Sequence, residues 1–407
     1  MPSTSGSATD STGNSRKTPG HEGVIAVARV YDAAVVGLGA MGSAALFHLA
    51  RRGLRAVGVE RFAPGHDRGS SHGESRIIRL SYFEHPSYVP LLRRAYDNWR
   101  DLERLTGESL LTRTGILEAG RPGSAVVAGT LAAAGLHDLP HEALSAAEAN
   151  RRFPALALPA DWSAVFQPDG GLLRPERAVL AHVTAARAAG AEVRTGTRVS
   201  AVEPTAGGMR LRVEGGAPVL AARVVVAAGP WIAELLPDLA PHLRLTRQVL
   251  GWFAPRDAEA VRLGRFPVAL LDDGPGGTVY GFPDLGTGTK WARHDSGDVL
   301  GHADRAAQDA GPRDEMGIRG PLARLVPGAA GPLLRMRTCL YTRTEDEHFV
   351  VDALPGEPRL IAASPCSGHG FKFAAVLGEA LADLAAEGGT RFDLSRFGMG
   401  RLHAAAA

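Results

Sequence analysis

Three glycines, one carboxylate, two arginines and a thiol stand in this chain where their type and spacing suggest chemistry. The run Asp32-Ala-Ala-Val-Val-Gly-Leu-Gly-Ala-Met-Gly42 places Gly37, Gly39 and Gly42 directly after a short apolar segment. Gly37 permits a tight turn, Gly39 lets the backbone approach a pyrophosphate, and Gly42 lets a helix close on its strand. Glu60 follows about 20 residues later, where a carboxylate would hold ribose hydroxyls. A glycine-spaced turn alone is common. Flanked by a strand, a helix, a second strand and a terminal acid, it reads as a dinucleotide-binding unit for either NAD or FAD.

Cationic side chains come next. Within Gly69-Ser-Ser-His-Gly-Glu-Ser-Arg-Ile-Ile-Arg79, a helix from Glu74 would put Arg76 and Arg79 on one face, with His72 a turn earlier. A guanidinium fork matches a carboxylate, so the pair suits an anionic substrate, although both could instead pair with surface acids. Farther on, Arg335 to Arg343 reads as a strand whose alternation sets Arg337, Cys339 and Tyr341 on one side. Neighbouring cations would lower the Cys339 pKa and favour its thiolate, the form that could attack the 8α-methyl carbon of a flavin. A lone cysteine is otherwise more often an inert core residue. Lys290 and His294, four apart, share a side in helical or extended geometry.

These residues need elements to position them. A helix over Ala44–Arg52, stopped by Gly53, precedes a second strand, Arg55 to Glu60. Two later segments bring the chain back to the same sheet: Gly190 to Glu203, a strand–turn–strand carrying Val199, and Ala222 to Trp231, which passes through Gly229. Late returns favour the longer FAD, as does Cys339, and no second phosphate turn is present for NADPH. The fold expected is α/β: a Rossmann-type FAD-binding domain from discontinuous segments (30–110, 165–235, 338–395), and a smaller α+β substrate domain (111–164, 236–337) with a mixed or antiparallel sheet.

The totals agree. The 407 residues suit two domains. With 45 basic and 43 acidic residues the net charge is +2, which argues against nucleic-acid or membrane-surface partners. Two cysteines cannot form a secreted disulfide framework, and no apolar run is long enough to span a bilayer, so a cytoplasmic location is expected. The 14 histidines form no ligand-like cluster, so no metal is expected. Residues 1–29 are expected to be a disordered tail.

Several segments together resemble the monomeric sarcosine oxidase and N-methyltryptophan oxidase family, FAD-dependent amine oxidoreductases of the D-amino-acid-oxidase-like superfamily. They are Val35 to Gly42, Gly69 to Arg79, Tyr88-Val-Pro-Leu91, Tyr280-Gly-Phe-Pro283, Cys339-Leu-Tyr-Thr342, Asp346-Glu-His-Phe349 and Ser367-Gly-His-Gly-Phe-Lys-Phe373, in family order across nearly the whole chain. The resemblance implies that Cys339 attaches FAD covalently and leaves Cys366 to packing. It implies that Arg79 and Lys372 clamp a substrate carboxylate, and that Arg76 and His72 lie close to the flavin ring. Tyr341, Tyr280 and His294 would line the pocket, and Gly368 and Gly370 would let the backbone approach the isoalloxazine. Lys290 matches the residue that activates oxygen, a fixed cation that stabilises charge on it. The implied activity is oxidation of a carboxylate-bearing secondary amine, with oxygen reduced to hydrogen peroxide by a monomer. The alternatives are an amine dehydrogenase with another acceptor or a non-catalytic flavin-binding protein. Leu80, where sarcosine oxidases commonly have histidine, and the loop Asp272 to Gly277 depart from the family pattern.

Overall fold

Runs of valine and alanine are suited to strands covered on both faces, and they build the first sheet. The computed structural model describes residues 30–404 apart from 295–296 and 307–308, so the expected tail over 1–29 lies outside the described residues. The elements that position the site are β1 (Val30–Val36), α1 (Ala40–Arg51), β2 (Ala56–Val59), β3 (Arg76–Ile78), β4 (Ile116–Gly120), α2 (Ala125–Leu136), β5 (Val219–Val226), β6 (Arg244–Phe253), β7 (Thr278–Gly281), β8 (Thr289–Arg293), β9 (Leu333–Arg343), β10 (Glu357–Ser364) and α3 (Ala374–Glu387).

Among the described residues the first sheet has eight strands. β1 pairs in parallel with β2 (Val36 opposite Val59) and with β5 (Val36 opposite Val226), and β5 pairs in parallel with β10. Glu192–Arg194 extends the sheet beyond β2. α1 starts at Ala40, four residues before the expected Ala44, because Gly39 already serves as its N-cap. It packs against α3 and against the helix Pro175–Ala188. The helices approach closely: a Cβ on Gly378 of α3 would lie 2.4 Å from the Ala44 Cβ. Leu46, Phe47 and Leu49 are fully or almost fully buried here, each contributing about 1.5–3 kcal/mol of apolar burial.

Among the described residues the second sheet has nine strands and is mixed, largely antiparallel, as expected. β7, β8, β6 and β9 follow one another across it, and β9 pairs with β6 from Phe253 opposite Leu333 to Arg244 opposite Arg343. On its other side β4 runs parallel to Val268–Asp272, with Glu118 opposite Leu270.

One expectation fails here. The chain after Glu74 is extended, not helical: β3 pairs with Gly171–Leu173, and Glu74 itself sits at φ 67°. The cross-strand partner captures a backbone whose local sequence left its conformation open. Among the described residues no helix is long and apolar enough to cross a membrane.

Candidate active site

β1 ends at Val36 and the chain turns through Gly37 at φ 86°. A Cβ on Gly42 would lie 1.8 Å from the Gly37 carbonyl oxygen, so α1 can close on this turn only with glycine there. α1 has no acidic residue in its first turn and receives no side-chain cap from Gly39, which leaves its positive end to attract an anion. Glu60 is fixed at the edge by backbone amides: Leu38 N donates to its Oε2 at 2.7 Å and Phe62 N to its Oε1 at 2.8 Å. A cleft with about 1700 Å³ of empty space, open at its mouth, runs from this turn past Val199 and Gly229 to Gly368, Gly370 and Lys372. Ser71 Oγ accepts from the first helical amide, Ala40 N, at 3.0 Å, and the glycine cradle, the helix terminus and the marginal acid could hold the pyrophosphate and ribose of FAD. Among the described residues no acid, histidine or cysteine cluster could hold a metal ion.

The far end of the cleft is lined by Arg76, Arg79, Tyr280, His294, Tyr341 and Lys372. β7 and β8 set Tyr280 opposite Ala292. His294, just past β8, puts its ring 6.2 Å from Tyr280 and 6.1 Å from Tyr341. Burial pushes both tyrosine hydroxyls above their ordinary pKa. Burial holds His294 neutral, its pKa pushed down to about 4. Lys372 Nζ donates to the His369 carbonyl at 2.6 Å and to the Tyr82 hydroxyl at 3.3 Å. Burial first and Arg79 second pull Lys372 down to about 7.

Arg79 is more heavily engaged than its sequence position suggests. One guanidinium nitrogen donates to Glu118 Oε1 at 2.6 Å, and another donates to both Glu84 oxygens at 2.8 Å. The guanidinium also lies 4.5 Å from the Tyr82 and Phe83 ring centres. Its partners are therefore buried or half-buried acids rather than surface ones. Glu84 and Glu118 were not anticipated. The signal for Glu118 was a lone acid inside the apolar strand Ile116-Leu-Glu-Ala-Gly120.

Four expected residues stand behind the cleft wall rather than on it: Gly42, His72, Lys290 and Cys339. Lys290 Nζ donates to the carbonyls of Gly73 (2.8 Å) and Ser75 (2.5 Å), with the Phe282 ring centre at 4.3 Å. Burial and then Arg76 hold it well below an ordinary lysine. Both ring nitrogens of the buried His72 lack a hydrogen-bond partner; burial and then Arg76 push it down to about 4. Cys339 Sγ lies 3.5 Å from an Arg76 guanidinium nitrogen and 3.9 Å from the Ser70 carbonyl. The expected lowering of its pKa does not occur: burial pushes the thiol up, and Arg76 only partly offsets it. Arg337, on the same strand, is instead at the surface with Asp67. Cys366, expected to be packing, is half-buried and lines the cleft, its sulfur 3.9 Å from Ser70 Oγ.

A family model described as FAD dependent oxidoreductase matches residues 32–384. The chain is 41% identical to the monomeric sarcosine oxidase of Streptomyces avermitilis over 93% of its own length and 99% of the relative's. It is 34% identical to the N-methyl-L-tryptophan oxidase of Yersinia pestis, over 91% and 99%. Among solved structures it is similar to NikD, an unusual amino acid oxidase essential for nikkomycin biosynthesis, with a TM-score of 0.81 and 27% identity over 91% of this chain and 97% of that one.

Proposed function

We propose, from the premise that this chain belongs to the FAD dependent oxidoreductase family, that it oxidises the C–N bond of a secondary amine bearing a carboxylate and passes the electrons to oxygen. It is an FAD-dependent oxidoreductase of the sarcosine oxidase and N-methyltryptophan oxidase type. The observation that carries the finer reading is the single cleft that joins the glycine cradle to Arg79 and Lys372.

In this reading the Gly37–Gly42 turn, Glu60, Val199 and Gly229 would hold the dinucleotide, and Cys339 Sγ would be its covalent attachment point. Bound FAD supplies the two-electron acceptor. Arg79 and Lys372 hold the substrate carboxylate, and this positioning places the carbon next to nitrogen for oxidation. Tyr280, Tyr341 and the neutral His294 surround the amine end with uncharged groups, which favours the unprotonated, oxidisable amine. The imine then hydrolyses: an N-methyl amino acid such as sarcosine or N-methyl-L-tryptophan gives formaldehyde and a primary amine, and a cyclic amino acid gives a cyclic imine. Arg76 and Lys290 would stabilise the negative charge that develops as oxygen is reduced to hydrogen peroxide, Lys290 acting from behind the cleft wall. His72 fills the space behind Arg76. The word monomeric in the Streptomyces relative's name supports a single-subunit enzyme, and the scarcity of cysteine supports a cytoplasmic one.

The test is acid precipitation of the purified protein followed by a panel of N-methyl and cyclic amino acids scored for peroxide. Yellow colour retained in the pellet, with stoichiometric peroxide from at least one substrate, is the expected result. A colourless pellet would remove the covalent link. Flavin bleaching without peroxide would move the enzyme to a different electron acceptor.

A further inference from the structure

Arg79 is the guanidinium on which the proposed carboxylate site depends, yet it already carries two carboxylates. They differ in freedom. Glu84 lines the cleft and its side chain keeps 14% exposure. Glu118 has none: it sits on β4, held by Thr130 Oγ1 of α2 at 2.9 Å and by Gln167 Nε2 at 2.5 Å, as well as by Arg79. Gln167 in turn accepts from Ser81 N at 2.9 Å, so the amide is fixed in the orientation that donates to Glu118. α2 and the strand Ser163–Gln167 contain no titratable residue. Val268–Asp272 presents Leu270 in register with Glu118, and its Asp272 accepts from Ser124. The titratable and charged groups acting on Glu118 are thus Arg79, Glu84, Tyr82 and Lys372.

Below about pH 7, where Lys372 keeps its proton, two cations, Arg79 and Lys372, face two carboxylates, so the cluster is balanced before any ligand arrives. A docking carboxylate makes three acids around them, and in a buried site the surplus charge is removed most readily by a proton. Glu84 can swing toward solvent; Glu118 cannot.

We propose that Glu118 is a positioning residue that makes recognition of the substrate carboxylate proton-linked, taking up one proton when an anion docks on Arg79. The inference rests on the carboxylate-binding reading above. The two acids are already separated in the direction this needs. Burial pushes Glu118 up to about 6 despite Arg79, whereas Arg79 holds Glu84 down to about 2 against the same effect. The sign follows. Below about pH 6 Glu118 is already protonated and anions bind at full strength. Above it, ionisation of Glu118 weakens binding up to tenfold per pH unit until the higher pKa of the occupied site is reached, and above about pH 7 loss of the Lys372 proton adds a weakening that wild type and E118Q share.

The test titrates the flavin-loaded enzyme with propionate, a carboxylate with no amine to titrate, and follows flavin absorbance at pH 5.5 and pH 8.5. E118Q should bind propionate at least about tenfold more tightly than wild type at pH 8.5 and equally at pH 5.5. A merely structural Glu118 predicts weaker binding at both values, and that result would overturn the proposal. If E118Q fails to fold, proton uptake by the wild type on saturation with propionate at pH 6.5 decides: Lys372 can supply only about a quarter of a proton there, so uptake no larger than that also overturns it. Failure of propionate to perturb the wild-type flavin at any pH would instead sink the carboxylate reading itself, and this inference with it.

Discussion

The two ends of the cleft are built on opposite plans. The β1–α1–β2 end is made of backbone and small side chains: Gly37, Gly39 and Gly42 create a concave surface by what they lack, and the neighbouring apolar residues are fully buried. The β3–β4 end is made of buried charge, with Arg79, Glu84, Glu118 and Lys372 held against one another beneath aromatic rings. The first end works mainly through shape, with Glu60 as its one buried acid. The second works through charge balance and responds to every proton gained or lost.

Variants can break that contrast, beginning with the largest effect. Cys339→Ser should abolish acid-stable colour altogether, with all flavin passing to the supernatant after precipitation. Lys290→Met should slow aerobic reoxidation by about 10²-fold, the size of losing one preorganised charge-stabilising group, while anaerobic bleaching by substrate stays within a few-fold. Equal loss in both half-reactions would show that Lys290 supports the fold of the Gly73–Ser75 loop rather than oxygen chemistry. Gly42→Ala tests the shape-built end: it should lower stability by about 1–3 kcal/mol through overpacking and reduce flavin content, and an unchanged melting temperature would contradict the close approach of α1. The smallest effect probes the helices behind that end. Burial holds His182 down to about 3, below its unfolded value of about 6.5. The unfolded chain therefore binds the extra proton as pH falls, and stability is lost from about pH 6.5 downward. His182→Gln should flatten this loss by about 1 kcal/mol between pH 6.5 and 5.5, seen as a shallower pH dependence of the urea midpoint.

The same contrast sets how much of each end is legible in the sequence. Glycine spacing and valine runs act within a few residues, so β1, β2, the turn between them and the returning strand β5 were all legible. The strand around Cys339 was legible too, because its alternation is local. The charged end was only half legible. Arg79 and Lys372 stood out by kind, but Arg79 is paired with an acid 39 residues away on another strand, a distance that no local pattern encodes. The extended state of Arg76–Ile78 depends on Gly171–Leu173 in the same way. The thiol failed for another reason: alternation located Cys339 beside a cation, but only three-dimensional packing shows how completely water is excluded, and that exclusion outweighs the cation.

β9 has a mechanical consequence. It belongs to the nine-stranded sheet, yet the segment that leaves β2 is fastened to it at consecutive points: Asp67 with Arg337, Arg76 with Cys339, and Ser70 Oγ donating to the Leu340 carbonyl at 2.6 Å. Neither layer can peel away without unzipping this seam. Heating or urea should therefore melt both layers in one concerted step rather than two.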